Sequence, residues 1–260
     1  MQGYWADQAS PALANLPPDL VAVLPLGATE QHGPHLPLSV DSDLVMAAAQ
    51  GCLAHLGADQ NVLILPPLSV TKSNEHNAYP GTLSLSANTL LAVLGDMMAS
   101  LHRAGVRRVL MLNGHGGNTA LLEVAARDAR VAHGLIVAHA SWSAFAKYDD
   151  LFDAQAMAYD LHAGDFETSA MLAVRSDRVD MAKAKDFRTA MQDWEDAGRL
   201  TGLTGQPARP GWVIEDLNAQ GALGNAAAAT PDKGAALMDR AAQGLARYLA
   251  DFATFELAVR

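Results

Sequence analysis

The stretch Leu20-Val21-Ala22-Val23-Leu24-Pro25-Leu26 runs directly into Gly27-Ala28-Thr29-Glu30-Gln31-His32-Gly33-Pro34. The first segment is apolar at every position, so it has no alternation between a wet and a dry face. That is the pattern of a strand covered on both sides, as in a parallel sheet flanked by helices. The second segment turns abruptly to glycine, proline and ionisable residues, which marks a turn at the strand's carboxyl end.

The same grammar repeats outward from this point. Val62 to Pro66, Arg108 to Leu112 and Leu135 to Ala140 read as further apolar strands. Between them lie helical patterns over Asp41 to Leu56, Ser86 to Ala104 and Asn118 to His133. Asp41 or Ser42 is the expected N-cap of the first of these. In the second, Leu90, Leu91, Leu94, Met97 and Leu101 recur at helical spacing. Strand, helix, strand, helix predicts an α/β fold with a mostly parallel sheet and helices on both faces. Beyond it a helix is expected over Asp165 to Val174 and an irregular stretch over residues 190 to 230. Thr230-Pro231 should then open a long terminal helix, threonine as cap and proline at the first helical position. No repeat or linker interrupts the chain, so residues 1–260 are expected to form a single domain.

Composition narrows the function classes. The chain has 260 residues, 50% hydrophobic, with a formal net charge of −10 and no Lys/Arg cluster, which argues against nucleic acid as a partner. Cys52 is the single cysteine, so no intrachain disulfide can form. No apolar run approaches the ~18 residues of a membrane span, and the first residues lack a basic segment followed by a long apolar one. The expectation is a cytoplasmic protein that meets no membrane.

Three motifs carry chemistry. In the first, Glu30 and His32 would share one face if the chain stays extended, because residues two apart point the same way. Asp41 returns to the same end of the sheet, where ligands gather in parallel folds. In the second, Asn113-Gly114-His115-Gly116-Gly117-Asn118, glycines able to take positive φ and approach closely would expose His115 at that edge, with Asn118 capping the next helix. In the third, His162-Ala163-Gly164-Asp165-Phe166-Glu167, Glu167 lies beside an apolar helical stripe, where a buried carboxylate needs a partner such as a cation. Glu75 and His76 precede Tyr79-Pro80-Gly81-Thr82 and either line a pocket or decorate its rim. Cys52 reads as a small core residue. His55, His102 and His133 fall at helix ends, and His139 in a strand. Trp142, Tyr148, Tyr159 and Trp212 fit either a pocket wall or a subunit interface. No Gly-x-Ser-x-Gly elbow is present, which disfavours that kind of serine hydrolase.

Together these motifs resemble the creatininase (creatinine amidohydrolase) family over about residues 20 to 175, with Tyr79-Pro80-Gly81-Thr82 similar to the family's Phe-Pro-Gly-Thr segment. The resemblance implies a three-layer α/β/α sandwich holding two divalent metal ions, usually zinc, with manganese able to occupy one position. It implies that Asp41 bridges both ions, that Glu30 and His115 serve one, and that His32 and Glu167 serve the other. Mixed carboxylate and imidazole ligands suit Zn2+, Mn2+ or Fe2+. It further implies a homo-oligomer, often a hexamer. In the creatinine-opening enzymes a Tyr-Glu pair follows the metal histidine, where this chain has Gly116 and Gly117. The resemblance is therefore to the wider branch, which includes formamide deformylases, a peptidase of peptide-cofactor maturation and cyclic-ketone hydrolases of sugar metabolism.

The activity so implied is hydrolysis of a non-peptide amide C–N bond, cyclic or formyl, by a hydroxide bridging the two ions, with His162 moving a proton to the leaving nitrogen. Glu75, His76, Gly116, Gly117 and Tyr159 are the expected substrate-binding residues. Two rival readings differ in class. One is a phosphate- or nucleotide-binding protein using the Gly114–Gly117 loop at a helix N-terminus. The other is a non-catalytic, metal-bound scaffold.

Overall fold

A computed structural model describes residues 1–257. Five strands form one sheet in the order β1-β3-β2-β4-β5, every neighbouring pair parallel. In chain order β1 (Gln2–Tyr4), β2 (Val21–Leu26), α1 (Val40–Cys52), β3 (Val62–Ile64), α2 (Ala87–Arg103), β4 (Arg108–Asn113), α3 (Thr119–His133) and β5 (Ile136–Ser141) come first. Then follow α4 (Ala154–Met157), α5 (Asp165–Arg175), β6 (Asp186–Phe187), α6 (Ala190–Asp196), α7 (Ile214–Leu217), β7 (Gly224–Asn225) and α8 (Pro231–Phe252).

The two faces of β2 divide the core. Val21 and Val23 face a layer of α1, α5 and α8 through Leu44, Met171 and Leu245. Ala22 and Leu24 face the opposite layer, α2 and α3, through Leu90, Leu94 and Leu122. All six residues of β2 and of β4 are buried, as expected of strands covered on both sides. Each leucine in these layers, once truncated to alanine, would cost about 2–5 kcal/mol through lost burial and a cavity. This is the α/β/α sandwich expected from the alternating pattern.

Several local expectations are corrected. The short edge strand β1 carries none of the long apolar signal and pairs in parallel with β3. Helix α1 starts at Val40 behind Ser39, so Asp41 is a buried residue of the first turn and neither Asp41 nor Ser42 is the cap. Asn118 stands at the cap position of α3 but makes no capping bond. Its amide nitrogen instead donates to Asn113 Oδ1 at 3.2 Å and to Gly27 O at 3.4 Å, tying the β4 loop to the β2 loop. Residues 190 to 230 contain the short helices α6 and α7. Thr230 and Pro231 do open α8, with Thr230 Oγ1 accepting from Lys233 N at 3.3 Å.

Strands β2 and β4 are neighbours whose last residues, Leu26 and Asn113, pair. The chain leaves β2 toward β3 on one side and leaves β4 toward β5 on the other. Their loops therefore diverge and open a crevice at the carboxyl edge, the position where open parallel sheets bind ligands. No helix of the described residues is long and apolar enough to cross a membrane.

Candidate metal centre

Four backbone segments meet in this crevice. The loop after β2 brings Glu30 and His32, and the first turn of α1 brings Asp41. The loop after β4 brings His115, and the first turn of α5 brings Glu167. Glu30, His32, Asp41 and His115 are at most 4% exposed. Glu167 keeps one side toward solvent, its side chain 20% exposed.

The glycines explain how close the segments come. Gly114, Gly116 and Gly117 were expected to permit positive φ, but none of them adopts it. Two of them are needed for proximity instead. A Cβ on Gly114 would overlap the Asp41 carbonyl oxygen and lie 3.1 Å from Val45 Cβ, so its absence lets the start of α1 press against the β4 loop. A Cβ on Gly117 would overlap Glu75 Oε1 and His115 Nε2. Ala163, at φ 56° the one left-handed non-glycine residue described, turns the chain between His162 and α5. Its N–H donates to Glu167 Oε2 at 2.6 Å.

The donor atoms form two groups around one carboxylate. His32 Nε2 lies 3.4 Å from Asp41 Oδ1 and 3.7 Å from Glu167 Oε2. His115 Nδ1 lies 3.3 Å from Asp41 Oδ2 and 3.2 Å from Glu30 Oε1. Glu30, Asp41 and His115 could thus hold one ion, and His32, Asp41 and Glu167 another; Glu30, His32 and His162 form a third, overlapping group.

Two observations fit these groups to cations. Both Glu30 oxygens, Asp41 Oδ2 and His32 Nε2 are buried without a hydrogen-bond partner, a state that costs about 1–3 kcal/mol per group and more for charged ones. The imidazoles are also oriented for coordination. His32 Nδ1 lies 3.1 Å from Glu30 O and donates to it, leaving the Nε2 lone pair facing the carboxylates. His115 Nε2 lies 2.9 Å from Lys72 O and donates there, leaving Nδ1 facing inward. A backbone carbonyl holding the outer nitrogen is how metal-binding histidines are commonly fixed.

The protonation balance points the same way. Burial works against charge on His32, but Asp41, then Glu167 and Glu30, outweigh it and lift its pKa to about 9. Burial opposes charge on His115 too, and Glu30, Asp41 and Glu75 raise it well above 6.5. Burial works to raise the Asp41 carboxyl, yet the His32 and His115 imidazoles hold it well below the usual carboxylate range. Burial raises Glu167, with only partial relief from His32. Protons thus gather where cations would sit.

His162 faces the same place. Its Nδ1 is 3.8 Å from Glu30 Oε1, and its ring packs against His32 and His76 at centroid distances of 4.2 and 4.4 Å. Burial, reinforced by His32 and His76, holds its pKa well below 6.5. A cavity of about 620 Å³ opens above these groups, walled in part by Glu75, His76, Gly116, Gly117, Leu203 and Trp212, a size suited to a small molecule. Tyr159 is not on its wall: the ring packs into a side cluster with Met191 and Leu217, and the hydroxyl donates to Glu195. Trp142 and Tyr148 are packing residues, both against Phe166.

Lys72, Arg209 and Leu161 also line the cavity and carried no local signal. Gln31 has no titratable group to mark it in the sequence. It is 5% exposed and sits between Glu30 and His32. Its backbone N–H donates to Thr82 Oγ1 at 3.1 Å, which gives the Tyr79–Thr82 turn its place in the site.

The Gly114–Gly117 loop is a poor phosphate cradle. Gly114 N already donates to Leu26 O at 2.7 Å and His115 N to Asn113 Oδ1 at 3.2 Å. The cavity wall beside the loop carries the Glu30 and Glu75 carboxylates together with Lys72 and Arg209, so it is not a cationic surface built for an anion.

Comparison with known proteins places this geometry among relatives. A family model described as Creatininase, creatinine amidohydrolase, matches residues 6–249. A creatinine amidohydrolase of Pseudomonas putida is 32% identical over 88% of this chain and 88% of its own length. A mycofactocin precursor peptide peptidase of Mycobacterium tuberculosis is 30% identical over 87% of this chain and 85% of its own. A crystal structure provisionally assigned as a creatinine amidohydrolase, from Bacteroides fragilis, superimposes with a TM-score of 0.76 at 27% identity, covering 92% of each chain.

Proposed function

The chain belongs to the creatininase (creatinine amidohydrolase) family, and on that premise we propose that it hydrolyses an amide C–N bond of a small molecule with two divalent metal ions. As a member of the family it is a hydrolase of carbon–nitrogen bonds. The reading is also that the chain folds as one creatininase-like unit, supported by a match that spans residues 6–249.

The observation that carries it is the set of buried, unpartnered donor atoms around Asp41. In this reading Glu30, Asp41 and His115 hold one ion and His32, Asp41 and Glu167 the other. Zn2+, Mn2+ and Fe2+ suit such a donor set. When bound, the ions would acidify a water molecule and polarise the substrate carbonyl. The remaining steps belong to the chain. His162, neutral at pH 7 because of its burial, accepts a proton of the attacking water through Nδ1 and passes it to the leaving nitrogen as the C–N bond breaks. Glu75, His76, Gly116 and Gly117 bound the space beside it, and Trp212 with Leu203 supply an apolar wall. Gly116 leaves open space beside the cavity, and Gly117 lets Glu75 close against His115; with no Tyr-Glu pair at these positions, the reading is a cyclic or formyl amide other than creatinine.

Reconstitution with zinc or manganese followed by elemental analysis and a screen of small cyclic and formyl amides tests this. Close to two ions per chain with turnover of an amide is expected. No metal uptake overturns the reading, and stoichiometric metal with no hydrolysis of any amide moves the scaffold reading ahead of it. The assembly is proposed to be a homo-oligomer, supported by the family resemblance alone. Light scattering should then give a multiple of the 27.4 kDa chain, and a monomer would refute it.

A further inference from the structure

Gln31 makes two kinds of contact with the histidines beside the metal centre, and its own orientation is fixed. Gly33 N lies 2.9 Å from Gln31 Oε1 and donates to it. An amide turned the other way would set two donors against each other, so the oxygen is assigned by this network. The closeness requires Gly221, where a Cβ would overlap Gln31 Oε1. The amide nitrogen is thereby directed to His76 Nδ1, at 2.8 Å. An N–H donor there makes Nδ1 an acceptor, so His76 carries its proton on Nε2. That nitrogen lies 3.4 Å from Glu30 Oε1, on the cavity wall.

The main chain of the same residue treats His162 in the opposite sense. His162 Nε2 is 2.9 Å from the Gln31 carbonyl oxygen, which can only accept. The Gln31 amide nitrogen is also 3.3 Å from His162 Nε2, but it is better placed on His76 and meets no free lone pair on a nitrogen that is itself donating. The proton of His162 therefore sits on Nε2, and the Nδ1 lone pair faces Glu30 Oε1 at 3.8 Å. Both inward nitrogens converge on one carboxylate oxygen from rings stacked 4.4 Å apart, 31° from parallel. One carries a proton and the other a lone pair, and neither is hydrogen-bonded to that oxygen.

We propose that Gln31 is a positioning residue that sets the tautomers of both histidines, His76 as a donor and His162 as an acceptor toward the cavity. An amide substrate offers the complement, a carbonyl oxygen that accepts and a nitrogen that takes or gives a proton. The side chain of Gln31 sets His76 and its backbone sets His162, so substitution of the side chain separates the two. The inference rests on the proposed function for its purpose. Its test reads imidazole protons and does not depend on hydrolysis.

The test is long-range proton–nitrogen NMR on the zinc-loaded full chain labelled with nitrogen-15 at histidine. His76→Asn and His162→Asn assign the two rings by the signals they remove. The wild type is expected to show both rings protonated on Nε2 only. In Gln31→Glu the carboxylate accepts from His76 Nδ1, so that nitrogen gains a proton and its signal shifts by tens of ppm. In Gln31→Met, which keeps the length but has no donor, His76 loses its single tautomer while His162 keeps its own. His76 protonated on Nδ1 in the wild type overturns the proposal, as does an unchanged His76 pattern in both variants. Because the wild-type spectrum alone decides the first point, a variant that fails to fold does not shelter it. Tautomers as stated in a protein that cleaves no amide would leave this inference standing and remove the proposed function.

Discussion

Asp41 Oδ1 lies 3.4 Å from His32 Nε2, and the contact joins the first turn of α1 to the loop after β2. The second oxygen of the same carboxylate lies 3.3 Å from His115 Nδ1, on the loop after β4. One side chain therefore belongs to both donor groups, and Asn in its place would keep the shape while removing the charge. Asp41→Asn is expected to lower bound metal from about two ions per chain to fewer than one, by elemental analysis after gel filtration. Retention of both ions would remove the bridging role.

The protonation balance of these groups predicts how the stability of metal-stripped protein follows pH. His32 has a folded pKa of about 9 against an ordinary 6.5. Its contribution to the metal-free protein is complete below about pH 6.5 and is lost as pH rises through about 9. The depressed Asp41 carboxyl acts in the other direction. Its contribution is present above about pH 4 and is lost as pH falls further. Melting temperatures of EDTA-stripped protein should therefore fall between pH 7 and pH 10, while zinc-loaded protein, with a cation in place of the proton, should change less. Calorimetry in buffers of differing ionisation enthalpy should show protons released on zinc uptake near pH 7.5. A stripped protein with a flat melting profile through pH 9 contradicts the assignment.

In the proposed mechanism His162 carries a proton and holds no metal. His162→Asn should reduce kcat on any amide found to be a substrate by about 10²–10⁴-fold, the usual worth of a positioned acid or base. Metal content should stay that of the wild type. A fall in bound metal would instead put weight on the alternative group of Glu30, His32 and His162.

Adjacent glycines in one loop should behave differently. A Cβ on Gly116 meets nothing within 4 Å, whereas one on Gly117 collides with Glu75 and His115. Gly116→Ala should change stability by less than about 0.5 kcal/mol. Gly117→Ala should cost about 1–3 kcal/mol by overpacking and weaken metal binding by displacing His115. Urea unfolding of the metal-free variants separates the two effects, and equal behaviour would show that the loop yields freely.

Helix glycines give a second contrast. Gly95 in α2 has open space where a Cβ would go, while Gly234 in α8 lies against the Ser169 carbonyl of α5. Gly95→Ala is expected to stabilise by up to about 1 kcal/mol from helix propensity. Gly234→Ala should destabilise despite the same propensity gain, since two helix backbones must separate. Thermal unfolding of the two variants checks the opposite signs.

What the sequence determined by itself was the architecture and the chemistry on offer. Leu20 to Leu26 and Val109 to Leu112 read as strands covered on both faces, because they are short, apolar at every position and followed by turn residues. Glu30, His32, His115 and Glu167 stood in glycine-rich turns or at a helix start, and both features are local. Tertiary structure decided which atoms meet. Asp41 reads in the sequence both as a helix cap and as a ligand returning to the strand ends; it is a buried member of the first turn, where Gly114 lets α1 approach the β4 loop. Tyr159 looked like a pocket residue and instead packs in the cluster that also holds Leu203 and Trp212, whose side chains line the cavity while the Tyr159 ring does not. Gln31 has no titratable group and lies out of phase with its neighbours, yet it is bound on both sides through contacts with His76 and His162, the latter 131 residues away. Periodicity reports which face of an element is dry. Convergence of side chains from separate loops depends on strand register and on how closely backbones can approach, and those are properties of the folded chain.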